Sequence, residues 1–257
     1  LVSSGKRDIN ILLTNDDGIR AEGICRLREA LAHLGKTTVV APERQQSGSS
    51  HALTLSDPLR VSYLDEDTIS VDGTPTDCVL LAMRGLLRGV RPDILVSGMN
   101  HGPNLGDDVT YSGTVAAAFE GTLLGLPSVA ISISSWEACK FEAGARFASV
   151  VAENVLEHGL PEGTLLNVNV PSVAPEEIKG VKITKLGKRI YRDDVVKKKD
   201  PRGKDYYWIG GQPPIWCQGE ETDFEAVESG MISVTPLHLD LTDYKAFDDI
   251  RSWGLAF

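Results

Sequence analysis

Ile9-Asn10-Ile11-Leu12-Leu13-Thr14-Asn15-Asp16-Asp17-Gly18 reads as a buried strand that breaks into a polar turn. The apolar run is short, and it stops where two acids and a glycine begin. Just downstream, Ile24, Leu27, Leu31 and Leu34 recur at helical spacing, and Gly35 stands where a helix commonly ends. Residues 37–41 form a second apolar, β-branched stretch, closed by Pro42. Strand, acidic turn, helix and strand in that order form the opening unit of a parallel α/β sheet.

The alternation continues. Thr74-Pro75-Thr76-Asp77 has the grammar of a helix start, with Thr74 as N-cap, Pro75 first in the helix and Asp77 facing the positive helix end. Residues 94–97 predict a strand running into Gly98-Met99-Asn100-His101-Gly102-Pro103-Asn104-Leu105-Gly106. After Tyr111-Ser112-Gly113-Thr114 the spacing predicts an Ala-rich helix over 115–124, then a strand over 128–133. A long helix is expected over 141–156, with Phe141, Ala145, Ala148, Val151 and Val155 on its apolar face, followed by a strand over 165–170.

Two interruptions stand out. Residues 43–58 are a polar Gly/Ser-rich loop, and 59–63 with 68–71 read as an antiparallel hairpin around Asp65-Glu66-Asp67. The fold class expected is α/β: a Rossmann-like, mostly parallel sheet with helices on both faces, joined by right-handed crossovers. From about 171 onward helical period fades, leaving isolated β-like segments at 181–186 and 232–235. Residues 1–257 therefore read as one α/β domain, with a core over about 8–184 and a β-rich arm and C-terminal tail over about 185–257.

Composition narrows the partners. With 36 acidic against 26 basic residues the net charge is −10, which disfavours binding to duplex nucleic acid. The one basic run, Lys197-Lys198-Lys199, sits among acids and reads as a solvated loop. No apolar run is long enough for a transmembrane helix, and the first seven residues carry no apolar leader. Four scattered cysteines (Cys25, Cys78, Cys139, Cys217) form no CxxC pair and read as buried free thiols of a cytoplasmic protein.

In an open parallel sheet, ligands bind beyond the carboxyl ends of the strands. Those ends offer Asp16 and Asp17 after the first strand, Ser47 and Ser49 after the second, and Asn100 and Asn104 after the strand at 94. Carboxylates, a hydroxyl and an amide oxygen are hard donors suited to Mg²⁺ or Mn²⁺. Adjacent aspartates before glycine also fit a plain turn and helix cap, although two carboxylates side by side repel without a cation. Ser112-Gly113-Thr114 at a helix start fits an anion site, although taken alone it reads first as an ordinary cap. His51 and His101 lie in the candidate loops, His33 and His158 read as surface positions near helix ends and His238 sits in the tail; each taken singly reads as structural.

Taken together, Asn15-Asp16-Asp17-Gly18, Ala41-Pro42-Glu43-Arg44-Gln45-Gln46-Ser47-Gly48, Gly73-Thr74-Pro75-Thr76-Asp77-Cys78, Ser97-Gly98-Met99-Asn100-His101-Gly102-Pro103-Asn104 and Tyr111-Ser112-Gly113-Thr114-Val115-Ala116-Ala117 resemble the SurE family of nucleotidases. Thr222-Asp223 and Ser233-Val234-Thr235-Pro236-Leu237 echo it more weakly. The resemblance implies metal-dependent hydrolysis of nucleoside 5′- and 3′-monophosphates with one divalent ion, Mg²⁺ or Mn²⁺, per subunit. By position it makes Asp16, Asp17, Ser47 and Asn100 the metal ligands, with Asp16 and Asp17 also catalytic. Asn104, Ser112, Gly113 and Thr114 become the phosphate neighbours. It further implies a homodimer or homotetramer built through the C-terminal arm. A receiver-type signalling domain would need an aspartate where Asn100 stands, and a haloacid-dehalogenase-like phosphatase would need Asp-x-Asp.

Overall fold

The computed structural model describes residues 8–87, 89–190, 195–209, 215–217 and 219–255. Residues 1–7, the stretch whose sequence carries no apolar leader, lie outside the described residues. The first half runs β1 (Asn10–Thr14), α1 (Glu22–Leu31), β2 (Lys36–Pro42), β3 (Val61–Asp65), β4 (Thr68–Val71), α2 (Pro75–Leu81), β5 (Ile94–His101), α3 (Gly113–Leu123) and β6 (Ser128–Ser134). The second half runs α4 (Glu142–His158), β7 (Thr164–Pro171), β8 (Val181–Ile183), β9 (Arg189–Ile190), β10 (Val195–Lys199), β11 (Asp205–Ile209), β12 (Ile215–Trp216), α5 (Asp223–Glu228), β13 (Ile232–His238) and α6 (Phe247–Ser252).

Nine of the strands form one sheet, ordered β3-β4-β2-β1-β5-β6-β7-β13-β8. From β4 through β7 every neighbouring pair is parallel, and β3 and β13 join antiparallel. The chain leaves β1 toward β2 on one side and later returns to place β5 on the other. The gap between β1 and β5 is therefore the topological switch point, where loops diverge and a crevice opens.

Side-chain alternation in β1 loads both faces of the sheet. Ile11 and Leu13 pack with Ile24, Leu27 and Leu31 of α1 and with Phe141, Val151 and Val155 around α4. Leu12 points the other way, toward Val40, Cys78, Val79 and Ala117, beneath α2 and α3. Each such fully buried leucine contributes roughly 1.5–3 kcal/mol. Helices therefore cover both faces, as the sequence implies.

Several expectations are corrected. α1 stops at Leu31, and Gly35 is no helix cap: a Cβ there would lie 2.3 Å from the Ile9 carbonyl oxygen, so its role is close approach to β1. β5 runs on to His101, because a register shift between Ser97 and Asn100 lets pairing resume at Asn100–Ser132. The β-like segments near 181 and 232 are not isolated, since β13 pairs with β7 and β8 pairs with β13. Lys197-Lys198-Lys199 is strand, not loop: β10 pairs with β11, and Lys197 and Lys199 both reach Asp205, at 2.6 and 2.9 Å. Of the four free cysteines only Cys78 is buried, while Cys25 and Cys217 are exposed. No helix among the described residues is long and apolar enough to cross a membrane.

Candidate active site

The turn after β1 is clamped by its own first residue. Asn15 Nδ2 donates to the Gly18 carbonyl at 2.9 Å, and its Oδ1 accepts from the Gly18 N–H at 3.2 Å. That clamp leaves Asp16 and Asp17 free of turn duty. They do not cap α1 either, because the N-cap is Ala21 and no side chain caps this helix. The plain turn-and-cap reading of the acidic pair therefore fails.

Asp16 is only 3% exposed and turns toward α3. Its Oδ1 accepts a short hydrogen bond from the Thr114 hydroxyl, and its backbone oxygen accepts from Gln46 N–H at 2.7 Å. Burial pushes its carboxyl up to about 6; the Thr114 hydroxyl pulls it down and the Asp17 charge pushes it further up. Asp17, half-buried, accepts from the His101 N–H at 2.9 Å. Its carboxyl is likewise raised by burial, against that backbone hydrogen bond. Two neighbouring carboxylates are thus held where their charged forms are disfavoured, and hydrogen bonds supply the main relief.

Across the switch point, Asn100 is nearly buried at the end of β5. Its Nδ2 donates to the Gly102 carbonyl at 2.7 Å, which turns the amide so that Oδ1 remains the available donor atom. Ser47 lies in the loop after β2, beside the Gln46 that anchors to Asp16; its hydroxyl is exposed and accepts from Gln45 Nε2 at 3.0 Å. A pair of carboxylates, an amide oxygen and a hydroxyl on three converging strand ends are donors of the kind a hard divalent cation takes.

Ser112 caps α3 by accepting from Val115 N–H at 3.1 Å, so the cap reading of that motif holds. Gly113 opens the first turn of α3 against the acidic pair. A Cβ at Gly113 would lie 2.9 Å from Asp16 Cβ and 2.8 Å from Ser49 Oγ. Asn104 sits deeper: Nδ2 donates to Ser132 Oγ at 2.8 Å, and its N–H donates to Asn169 Oδ1 at 2.8 Å. Its carbonyl accepts from the side chains of Asn167 and Asn169, both at 2.9 Å.

Sequence reasoning missed the residues beneath Asn104. Asn167, Asn169 and Ser132 form a buried polar floor, recognisable only as polar residues interrupting otherwise apolar strands. Ser49 Oγ is buried with no hydrogen-bond partner among the described residues. His51 pairs with the buried Glu120 of α3 at 2.9 Å and packs over Phe119, pinning the loop after β2. Asp223 joins distant loops by accepting from Gly106 N–H at 2.7 Å and Gly187 N–H at 2.8 Å.

These features define a Rossmann-like α/β protein whose oxygen-donor crevice sits at the switch point beside a helix N-terminus. Residues 11–193 match the family model described as Survival protein SurE, and the chain belongs to the SurE family. It is 54% identical over 249 residues to a protein of Geobacter sulfurreducens named 5′-nucleotidase SurE, covering 96% of this chain and 95% of that one. A protein of the same name from Aquifex aeolicus is 50% identical, covering 93% and 96%. The crystal structure of the SurE protein from Aquifex aeolicus superposes with a TM-score of 0.85 at 47% identity, covering 96% of this chain and all of that one.

Proposed function

We propose that the chain is a metal-dependent phosphatase that hydrolyses nucleoside 5′- and 3′-monophosphates to nucleoside and phosphate. One observation carries the reading: Asp16 and Asp17 are held at the switch point, neither capping a helix nor closing the turn, with Asp16 against the first turn of α3. The shared name of the Geobacter and Aquifex relatives supports the nucleotide substrate.

Asp16, Asp17, Ser47 and Asn100 would hold one Mg²⁺ or Mn²⁺ ion, which when bound supplies Lewis acidity toward the phosphoryl group. The N–H groups of Gly113 and Thr114 and the Ser112 turn receive the remaining phosphoryl oxygens, with Asn104 fixing the floor beneath them. Asp16 or Asp17 orients a water molecule in line with the ester bond and takes its proton as the water oxygen bonds to phosphorus. The P–O ester bond breaks, and the nucleoside oxygen leaves with the proton that the aspartate took from the water, which returns the aspartate to carboxylate.

The same reading includes a homodimer or homotetramer formed through the arm. The β10–β11 hairpin stands outside the main sheet with all ten residues exposed, Trp208 at 62% and Ile209 at 84%. Such apolar surface is what an interface covers. A cytoplasmic setting is supported by the four free thiols. Phosphate release from a panel of nucleoside monophosphates, with Mn²⁺, with Mg²⁺ and with excess EDTA, tests the proposal. Release that EDTA abolishes is expected; none from folded protein under either metal would overturn it.

A further inference from the structure

We propose that Trp136 is the platform on which the base of the nucleotide stacks, which makes it a specificity-determining residue; the inference rests on the function proposed above. Trp136 lies between β6 and α4, in the loop beside the end of β5. Its indole is laid against Gly102: a Cβ there would fall 2.5 Å from Cζ3 and 2.9 Å from Cε3 of the ring. Only glycine permits that contact, and the φ of +114° at Gly102 favours glycine as well.

Gly102 belongs to the site segment. It is two residues from Asn100, so their Cα atoms are at most about 7 Å apart. Asn100 Nδ2 donates to its carbonyl at 2.7 Å, and the intervening His101 N–H donates to Asp17. The Gly102 N–H in turn donates to the Ile133 carbonyl at 3.1 Å, tying the segment to β6. The Trp136 loop is pinned on its far side, where Ser172 Oγ donates to the Ala138 carbonyl at 3.2 Å and accepts from Lys140 N–H at 2.9 Å.

The ring is therefore fixed to the backbone that carries the site, yet 68% of Trp136 remains exposed. A phosphate held between Asp16 and the start of α3 leaves the rest of the substrate to run out along the crevice. Trp136 is the exposed indole fixed to the segment that carries Asn100 and Gly102, and a base that runs out past that segment would meet it. Base–aromatic stacking tolerates every base but rewards the larger purine ring. A partner-protein anchor is the competing use of an exposed tryptophan, and the test separates the two.

The experiment compares the intact parent with Trp136→Ala and Trp136→Phe in metal-supplied phosphate release from purine and pyrimidine nucleoside monophosphates and from ribose 5-phosphate. Trp136→Ala should raise KM for purine nucleotides by roughly 5- to 100-fold, in keeping with the worth of one base–aromatic stack. The pyrimidine effect should be smaller, kcat/KM for ribose 5-phosphate unchanged, and Trp136→Phe should recover most of the loss. Adenosine alone should quench tryptophan fluorescence in the parent and not in Trp136→Phe. An equal loss on ribose 5-phosphate, an unchanged purine KM, or a changed oligomeric state with KM intact would overturn the proposal. If the parent releases no phosphate from any nucleotide, the proposed function fails; adenosine quenching then decides the platform by itself.

Discussion

Adjacent carboxylates repel, and burial sharpens the repulsion because water no longer screens it. Asp16 is the clearer case, its carboxyl pushed up to about 6 chiefly by burial. A carboxyl raised in the folded state makes folding favour its protonated form. That contribution is complete below the unfolded value near 3.8 and is lost as pH rises through about 6. The shift corresponds to roughly 3 kcal/mol. In EDTA, Asp16→Asn should therefore be more stable than the parent by up to about that amount at pH 7 and no more stable at pH 4. Denaturant unfolding at the two pH values measures this, and a pH-independent difference would contradict it. Asp17→Asn should lose at least roughly a hundredfold in turnover with its circular dichroism unchanged. An active, folded Asp17→Asn protein would remove Asp17 from the proposed chemistry.

Elements place these residues by close approach as much as by capping. α1 seats on β5 through Gly23, where a Cβ would lie 2.0 Å from the Met99 carbonyl oxygen. Met99 adjoins Asn100, so this contact sets how closely α1 approaches the site segment. Gly23→Ala should push α1 off β5 and cost about 1–3 kcal/mol by overpacking. A thermal melt reads the loss as a fall in Tm, and an unchanged Tm would mean α1 seats without that contact. α2 begins as its sequence specifies, with Thr74 Oγ accepting from Asp77 N–H and Asp77 Oδ2 accepting from Thr74 N–H. The same Asp77 carboxylate also accepts from the N–H and hydroxyl of Thr54, at 2.9 and 2.7 Å, which no capping rule foretells. One helix start thus also holds the long loop after β2.

At the scale of the molecule, charge and apolar surface are arranged differently. A net charge of −10 disfavours phosphate polymers, while the donor crevice is confined to the carboxyl ends of the central strands β2, β1 and β5. The β10–β11 hairpin and the tail beyond β13 carry the exposed Trp208, Ile209, Leu241 and Trp253. If the hairpin closes an oligomer, Trp208→Lys combined with Ile209→Asp should shift the protein to monomers in sedimentation velocity. Its far-ultraviolet circular dichroism should be retained. A parent that already sediments as a monomer would refute the oligomer.

By itself the sequence determined what local chemistry determines. Apolar periodicity placed β1, α4 and β7 within a residue or two, Thr74-Pro75-Thr76-Asp77 announced a capped helix, and the order of strands and helices required a parallel sheet. Because ligands gather beyond the carboxyl ends of such strands, Asp16, Asp17 and Asn100 are legible as one group in the sequence alone. Tertiary structure decided what depends on contacts distant along the chain. That the acidic pair caps nothing follows from Asn15 holding the turn and Ala21 starting α1. That Thr114 gives its hydroxyl to Asp16 joins residues 98 positions apart. That β13 returns to pair with β7 spans a stretch whose local pattern carries no partner information. Spacing along a chain encodes which face a residue lies on, whereas the partner across a sheet is chosen by packing of the whole.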